Sequence, residues 1–446
     1  MTQKRIVVLG AGESGAGAAV LAKVKGCDVL VSDSGSIAPK YKQLLDSYSI
    51  AWEEGGHSVD KVLMADEIVK SPGIPLDSPI MLKAKAKSIH VVSEIEFAGR
   101  YTDAKMVCIT GSNGKTTTTL LTYHILKRAG LNVGLAGNVG KSLALQVATE
   151  NFDVYVIELS SFQLDNMYDF RANVAMILNI TPDHLDRYDH CMQNYVDAKF
   201  RILQNMTGSD SFIFWKDDPV ITEQLRHITT EARMLPFAET REEDSAAYVD
   251  AENQMVINTP GSHFSMPRAD LALHGLHNLY NSMAAGLGAS LLNVKSDVLR
   301  SALSDFDGVE HRLEYVRTIG GVRYVNDSKA TNVNSTWYAL ESMTTPVVLI
   351  LGGKDKGNDY SEILPLVKSK VKHIVAMGLH NEKIIDFFGS VVPVTDTHTL
   401  ADAIEACQAA AIDGDTVLLS PCCASFDLFK SYEDRGRQFK HAVNAL

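Results

Sequence analysis

The sequence predicts an α/β protein of three consecutive domains. The first and third are expected to be Rossmann-like, and the central one to be a P-loop-type domain with a doubly wound, mostly parallel sheet and an antiparallel edge. Three observations lead to this prediction. A strand, a tight turn and a helix follow one another at three places, beginning near residues 6, 106 and 322. The strands of the central part are continuous apolar runs, which is typical of strands buried on both faces of a parallel sheet. At 446 residues, the chain also exceeds the length at which one hydrophobic core keeps growing.

The composition is that of a soluble globular protein. Apolar residues make up 46% of the chain and charged residues 22%, which argues against a disordered protein. The formal net charge is -12. Because an acidic surface repels nucleic acids and anionic membranes, we expect neither as a partner. Any anionic ligand must therefore meet a local positive site.

The six cysteines are scattered without the Cys-x-x-Cys spacing of metal and redox sites. A chain of this length does not need disulfides for stability, so we expect reduced thiols and a cytoplasmic location. The sequence predicts neither a signal peptide nor a membrane-spanning run. We expect a monomer.

The first domain is predicted at residues 1–99. A strand at residues 6–9 leads into the sequence GAGESG at residues 10–15, a helix follows, and Asp33 lies at the end of the next strand. This pattern fits the dinucleotide fingerprint closely. Three interpretations stay open at this point: an NAD site, a structural turn, or a helix N-terminus that holds the diphosphate of a nucleotide sugar.

The second domain is predicted at residues 100–308 and begins with a phosphate-binding loop. A strand at residues 106–110 leads into GSNGKTT at residues 111–117, where a helix starts. Backbone N–H groups and the positive helix end face an anion there, Lys115 adds a mobile cation, and the Thr116 hydroxyl can bind magnesium. The standard pattern needs a glycine where Ile109 stands, so this is a shorter variant of the loop. The loop predicts ATP binding.

A carboxylate and an imidazole follow two further buried strands of this domain. Glu158 ends one strand, and Asp183 and His184 follow the next. Because parallel sheets bind ligands at the carboxyl ends of their strands, Glu158 is well placed to hold magnesium on ATP. Lys199 lies on a predicted helix, where a lysine is usually solvated, so the sequence by itself gives it no role.

The rest of the second domain offers weaker signals. Asn138 lies in a glycine-flanked turn and could reach a ligand, although such asparagines usually serve the backbone. Asn278 and Asn281 fall on one helix face, and an amide pair suits the edge of an adenine. Alternating segments near residues 211–215, 248–250 and 255–257 predict antiparallel strands at the edge of the sheet.

The third domain is predicted at residues 309–446, with strands near residues 322–326, 347–351, 373–377 and 417–419. Two polar clusters, NDSKATN at residues 326–332 and GGKDKG at residues 352–357, follow predicted strands. Their lysines are Lys329, Lys354 and Lys356. Three lysines at strand ends of an acidic protein predict a site for an anion.

Together these motifs resemble the Mur ligase family over the whole chain. The matching stretches are residues 110–117, 158–164, 277–278, 311–312, 326–332 and 420–427. The shortened phosphate loop is the form that this family uses. Residues 158–164, ELSSFQL, resemble the family member that adds D-glutamate.

The resemblance implies a role for each matching residue. For ATP these are Gly111, Ser112, Asn113, Gly114, Lys115, Thr116, Thr117, Asn278, Asn281, Arg312 and Asp327. The residues implied to hold two magnesium ions are Thr116, Glu158, His184 and Lys199. Lys199 matches the lysine that the family carbamylates. Lys115, His184 and Lys199 are the implied catalytic residues.

The resemblance also implies two substrate sites. For a UDP-sugar these residues are Gly12, Ser14, Gly15, Asp33, Ser34, Ser71, Pro72, Gly73, Asn138 and Ser160. For D-glutamate they are Lys329, Thr331, Lys356, Ser425 and Tyr432. The sequence departs from some relatives in having Ser34-Gly35 where they place an arginine or another polar contact to uracil. Lys354 and Lys356 both lie near the glutamate position.

The implied reaction is the ATP-dependent ligation of D-glutamate to UDP-N-acetylmuramoyl-L-alanine through an acyl phosphate, in peptidoglycan precursor synthesis. Other amino-acid-adding members of the family, including L-alanine-adding and polyglutamate-adding ligases, stay open. From other classes, an NAD-dependent oxidoreductase and a non-catalytic nucleotide-binding module are rivals. The oxidoreductase leaves the phosphate loop, Glu158 and His184 unexplained.

Overall fold

The computed structural model describes residues 3–183 and 185–446. It contains three sheets, which confirms the predicted α/β class with three mostly parallel sheets. By its internal contacts the chain divides into two compact units: residues 1–271 with 280–306, and residues 272–279 with 307–446. The first unit holds two of the sheets and the second holds one. The predicted domain limits at residues 99 and 308 stay predictions.

The first sheet has five parallel strands in the order β3-β2-β1-β4-β5. Its strands are β1 (Arg5–Leu9), β2 (Asp28–Ser32), β3 (Ala51–Glu53), β4 (Glu67–Lys70) and β5 (His90–Ser93). The accompanying helices are α1 (Glu13–Val24), α2 (Pro39–Ser47), α3 (Val59–Val62), α4 (Pro79–Ala86) and α5 (Glu94–Gly99). Ile6 and Val8 pack into one core cluster, whereas Val7 and Leu9 pack into another. Since alternate side chains point to opposite faces, β1 is buried on both.

The second sheet has nine strands in the order β14-β13-β12-β11-β10-β9-β6-β8-β7. They are β6 (Lys105–Thr110), β7 (Val133–Gly137), β8 (Val154–Glu158), β9 (Val174–Ile177), β10 (Ser211–Trp215), β11 (Arg233–Thr240), β12 (Ala247–Val249), β13 (Gln254–Thr259) and β14 (Ser262–Pro267). Its helices are α6 (Lys115–Arg128), α7 (Leu143–Thr149), α8 (Ser161–Leu164), α9 (Met192–Phe200), α10 (Pro219–Leu225), α11 (Leu276–Leu291) and α12 (Ser296–Ser304).

One prediction for this sheet is wrong. Residues 211–215 were expected to form an antiparallel edge strand, but β10 lies inside the sheet and is parallel to both β9 and β11. Helix α10 provides the crossover that a parallel connection requires. The antiparallel edge begins at β12, which pairs in parallel with β11 and antiparallel with β13, and β13 pairs antiparallel with β14.

The third sheet has six strands in the order β15-β16-β20-β17-β18-β19. They are β15 (Glu314–Ile319), β16 (Val322–Asn326), β17 (Val347–Gly352), β18 (Val371–Met377), β19 (Val394–Thr397) and β20 (Thr416–Cys422). The helices are α13 (Val333–Glu341), α14 (Leu364–Lys370), α15 (Glu382–Phe388), α16 (Leu400–Ala410) and α17 (Tyr432–Asn444). Only the β15–β16 hairpin is antiparallel among the described pairs. No helix within the described ranges has the length and apolarity needed to span a bilayer.

Candidate active site

The predicted phosphate loop joins the end of β6 to the start of α6. Gly111 and Gly114 have positive φ angles of 148° and 82°. A Cβ on Gly111 would lie 3.2 Å from the carbonyl oxygen of Asn179, so the loop needs a glycine there. The Ser112 N–H donates to Asn179 O at 2.9 Å, and the Asn113 N–H donates to Asn179 Oδ1 at 2.8 Å. These bonds hold the loop in a fixed shape against the segment that follows β9.

Lys115 opens helix α6 and folds back over the loop. Its Nζ donates to the carbonyl oxygens of Gly111 and Ser112, both at 2.8 Å. Thr116, the next residue, is buried. A cation on a glycine loop at the N-terminus of a long helix is the arrangement that binds phosphates.

Glu158 lies at the carboxyl end of β8 and is 1% exposed. Its Oε1 accepts a hydrogen bond from Asn138 Nδ2 at 2.8 Å. Its Oε2 is buried and has no hydrogen-bond partner within the described residues. Since an unpaired buried carboxylate oxygen is costly, this atom is suited to a bound cation. Asn138 thus orients Glu158, a bond that the sequence did not reveal.

Lys199, on helix α9, lies beneath the phosphate loop. It is 1% exposed, and its Nζ donates to Gly111 O at 2.7 Å and lies 4.5 Å from the centre of the Tyr195 ring. Burial, reinforced by the charge of Lys115, lowers the pKa of Lys199 well below its usual value. A lysine in this setting favours the neutral amine, which is nucleophilic. The sequence alone gave Lys199 no role.

His184 lies outside the described residues. Within residues 3–183 and 185–446, no three His, Cys, Asp or Glu side chains group as metal ligands. The predicted magnesium set contains only two residues of these types, Glu158 and His184. The set therefore stays a prediction, supported by the unpaired Oε2 of Glu158.

The glycine turn of the first sheet is closely packed. Gly10 has a positive φ of 87°, and a Cβ on Gly15 would come within 1.8 Å of the Gly10 carbonyl oxygen. Gly12 and Ser14 are at the N-terminus of α1, with Gly12 as its N-cap residue. Asp33 supports the turn, because Oδ2 accepts the Ala11 N–H at 2.6 Å and Oδ1 accepts the Gly35 N–H at 2.8 Å. The Asp33 carboxylate is therefore already engaged with the backbone.

Two further segments of the predicted UDP-sugar site adjoin this turn. The Ser71 hydroxyl donates to Gly10 O at 3.3 Å. Ser34 and Gly73 line a cavity of about 490 Å³. Pro72 lies between Ser71 and Gly73. Ser160 is elsewhere in the chain, at the N-cap of α8, where its hydroxyl donates to Gln163 Oε1 at 2.9 Å.

The amides predicted for ATP both lie on helix α11. Asn281 is buried and its Oδ1 accepts the Thr118 hydroxyl at 3.1 Å, which links α11 to the helix of the phosphate loop. The Asn278 side chain donates to the carbonyl oxygen of His274 at 2.9 Å. The predicted helix is confirmed.

In the second unit, Asp327 follows β16 and is buried. Its Oδ2 accepts the Ser420 hydroxyl at 2.8 Å and its Oδ1 accepts the Leu313 N–H at 3.2 Å. Burial raises the pKa of Asp327 to about 7, against the opposing effects of the Ser420 bond and the Arg312 charge. Arg312 and Asp327, both predicted for ATP, are thus electrostatically coupled.

The predicted D-glutamate residues come from three segments of this unit. Lys329 Nζ lies 5.3 Å from the centre of the Tyr432 ring, so these two residues meet. Ser425 is buried, and Thr331 precedes the N-cap Asn332 of α13. The side chains of Lys354 and Lys356 are both exposed, and the choice of Lys356 stays a prediction.

Comparisons with known proteins cover the whole chain. Residues 4–93 match the family "Mur ligase MurD-like, N-terminal domain", residues 109–289 match "Mur ligase middle domain" and residues 311–423 match "Mur ligase, glutamate ligase domain". A relative from Bacteroides fragilis, named UDP-N-acetylmuramoylalanine--D-glutamate ligase, is 64% identical over 445 residues, which cover 99% of this chain and 100% of the relative. The chain belongs to the Mur ligase family.

Other similarities agree with this assignment. A Porphyromonas gingivalis relative with the same name is 58% identical, covering 98% of each chain. Among solved structures, UDP-N-acetylmuramate-alanine ligase from Thermotoga maritima superposes with a TM-score of 0.62 at 17% identity, covering 99% of each chain. A pseudomurein peptide ligase type C from Methanothermus fervidus gives a TM-score of 0.63 at 19% identity, covering 99% of this chain and 100% of that one. These two structures show the shared fold.

Sequence reasoning did not identify the role of Arg435 in this Mur ligase. Arg435 on α17 is 1% exposed and donates to Ser328 Oγ at 2.9 Å, to Ser328 O at 2.8 Å and to Cys423 O at 3.2 Å. It therefore joins the segment that carries Lys329 to the segment that carries Ser425. An arginine in a polar helix gives no sequence signal that separates this role from a solvated one.

Proposed function

We propose that this Mur ligase joins D-glutamate to UDP-N-acetylmuramoyl-L-alanine, with conversion of ATP to ADP and phosphate, in the synthesis of peptidoglycan precursors. The observation that carries the proposal is 64% identity over 445 residues to a relative whose name gives these substrates. The phosphate loop, with Lys115 above it and Lys199 beneath it, supplies the geometry that an ATP-dependent ligase needs.

ATP is assigned to the phosphate loop and to a few residues beyond it. The N–H groups of residues 111–117 face the phosphates, and Lys115 neutralises charge on them. The residues assigned to the rest of the nucleotide are Asn278, Asn281, Arg312 and Asp327.

The free thiols of the described cysteines agree with a proposed cytoplasmic location.

Two magnesium ions are proposed with ATP, held by Thr116, Glu158, His184 and a carbamylated Lys199. The unpaired buried Oε2 of Glu158 fits this assignment, and so does the lowered pKa of Lys199. The neutral Lys199 amine would attack the carbon of carbon dioxide with its lone pair and release one proton, which converts the neutral amine into a carbamate anion. Bound magnesium would supply positive charge to the phosphate oxygens.

The proposed reaction has two steps. A carboxylate oxygen of the alanine end attacks the γ-phosphorus of ATP, the bond to the bridging oxygen breaks, and an acyl phosphate and ADP form. The amine of D-glutamate then attacks the acyl carbon, loses a proton, and phosphate leaves as the amide forms. Lys329, Thr331, Lys356, Ser425 and Tyr432 are proposed to hold D-glutamate.

The nucleotide sugar is assigned to the first sheet. The diphosphate would lie at the N-terminus of α1, at Gly12, Ser14 and Gly15, with Asp33 and Ser34 nearby. Ser71, Pro72 and Gly73 form the adjoining turn. Asn138 and Ser160 keep a proposed role at the sugar end, in addition to the bonds that they make to Glu158 and Gln163.

A phosphate-release assay tests the proposal. Purified protein with ATP, magnesium and UDP-N-acetylmuramoyl-L-alanine should release phosphate with D-glutamate and not with L-alanine, L-glutamate or diamino acids. Release with one of the other amino acids would replace the substrate assignment. Release that needs no amino acid would contradict a ligase. A rise in melting temperature with NAD, and none with ATP and magnesium, would favour the oxidoreductase.

A further inference from the structure

The cavity of the first sheet lies at the carboxyl ends of strands β2, β3 and β4, of which β2 and β4 both pair with β1. Ser34 follows β2, His57 follows β3 and Gly73 follows β4, and all three residues line the cavity of about 490 Å³. Most of the remaining wall is apolar, including Ile74 and Ile80. An apolar cavity with a few polar groups at such strand ends suits a flat heterocycle.

A chain of hydrogen bonds leads from the sheet to His57. Ser32 Oγ lies 2.8 Å from Glu53 Oε1 and 2.7 Å from His57 Nδ1. The Ser58 N–H also donates to Glu53 Oε1, at 2.7 Å. Burial raises the pKa of Glu53, but the bonds from Ser58 and Ser32 and the charge of Lys61 more than offset it, so the pKa is lowered and the carboxylate stays ionised.

This chain determines which nitrogen of His57 carries the proton. An ionised carboxylate can only accept hydrogen bonds, so the single proton of the Ser32 hydroxyl points to Glu53. The bond between Ser32 Oγ and His57 Nδ1 must then use the proton of Nδ1. A neutral imidazole that donates from Nδ1 has its lone pair on Nε2. Nε2 of His57 has no hydrogen-bond partner in the described part of the chain.

We propose that His57 recognises the uracil of the nucleotide sugar, with Nε2 accepting the N3–H of the base. This inference rests on the proposed function, which supplies a uridine nucleotide as substrate. Uracil has a donor at N3, whereas cytosine has an acceptor there, so the lone pair of Nε2 selects uridine over cytidine nucleotides. His57 thereby supplies a polar contact to the base although the chain has Ser34-Gly35 after Asp33.

Calorimetric titration with nucleoside diphosphates tests the role of His57. The wild type should bind UDP about tenfold or more tightly than CDP or 3-methyl-UDP, because each of these analogues lacks the N3–H. His57→Phe should weaken UDP binding and bring the ratio of the UDP and CDP dissociation constants close to one. His57→Gln keeps an acceptor and should retain part of the preference. His227→Phe, an exposed histidine on the first unit, is the matched control and should behave as the wild type.

The outcomes separate this inference from the proposed function. A wild type that neither binds UDP nor acts as a ligase would contradict the proposed function itself. A wild type that binds UDP and ligates D-glutamate, but shows the same UDP preference after His57→Phe, would overturn the role of His57 alone. If the melting transition shows that His57→Phe does not fold, the wild type alone tests the inference. Equal affinity of the wild type for UDP, CDP and 3-methyl-UDP contradicts the inference, and a tenfold preference for UDP supports it.

Discussion

The two glycine-containing loops of the first unit share one topology and differ in charge. In both, a parallel strand leads through a glycine turn into a helix. The carbonyl oxygen of Gly111 accepts hydrogen bonds from the side-chain nitrogens of Lys115 and Lys199. The carbonyl oxygen of Gly10 accepts the neutral hydroxyl of Ser71, and the first turn of its helix carries the acidic Glu13.

This difference shows that a glycine turn alone does not identify its ligand. Both helices present backbone N–H groups and a positive helix end. Of these two loops, only the one at Gly111 adds a side-chain cation, Lys115, and the transfer of a phosphoryl group requires such a charge. The turn at Gly10 can hold a phosphate group on backbone N–H donors but lacks a lysine at the start of its helix. This turn therefore suits the binding of a phosphate group that does not react.

The largest effect is expected for the cation of the phosphate loop. Lys115→Met removes the charge that meets the phosphates and should lower kcat by about 10²–10³-fold, with little change in melting temperature. Lys127→Met, on the exposed side of the same helix, is the control and should leave kcat unchanged. Steady-state phosphate release measures both. Normal turnover by Lys115→Met would show that the charge difference between the two loops is not what separates their functions.

A smaller effect is expected from the shape of the other loop. A Cβ at Gly15 would lie 1.8 Å from the Gly10 oxygen, whereas a Cβ at Gly12 would meet nothing within 4 Å. Gly15→Ala should therefore destabilise the protein by about 1–3 kcal/mol through overpacking and raise KM for the nucleotide sugar. Gly12→Ala should leave the free energy of unfolding close to that of the wild type. Denaturant unfolding distinguishes the two variants, and equal stability of both would contradict the close packing of the turn.

Much of the fold could be predicted from the sequence because buried parallel strands leave continuous apolar runs. Strands β1, β6, β16 and β17 were predicted to within one residue at either end. Eight strands were missed: β3, β4, β5, β7, β11, β14, β15 and β19. Strand β7 contains two glycines and β11 contains Pro236, which sequence rules treat as interruptions. No residue of β15 is buried and only one residue of β19 is, so the apolar signal of both strands is weak.

The candidate site was predictable where a motif lies within one segment, as at residues 111–117. Contacts between segments were not. Gly137 and Glu158 are register partners on β7 and β8, which brings the following Asn138 to the Glu158 carboxylate. Without β7 in the prediction, this pairing had no basis. Lys199 and Arg435 are buried by distant segments, and a lysine or arginine in a helix is more often solvated, so their positions required the three-dimensional structure.

The smallest expected effect on stability tests the support beneath the phosphate loop. Lys199→Met removes a buried amine, and Gly111 O keeps its bond from Lys115. Because the pKa of Lys199 is lowered in the folded chain, the unfolded chain binds an extra proton between that lowered pKa and about 10.5, so stability falls as the pH falls through this window. In buffer free of carbon dioxide, Lys199→Met should raise the free energy of unfolding by about 1 kcal/mol at pH 7.5, and by less at pH 9.5, while ligase activity is lost. Denaturant unfolding at the two pH values measures this, with Lys127→Met as control. A variant less stable than the wild type at pH 7.5 would mean that the amine supports the loop rather than being retained for its chemistry.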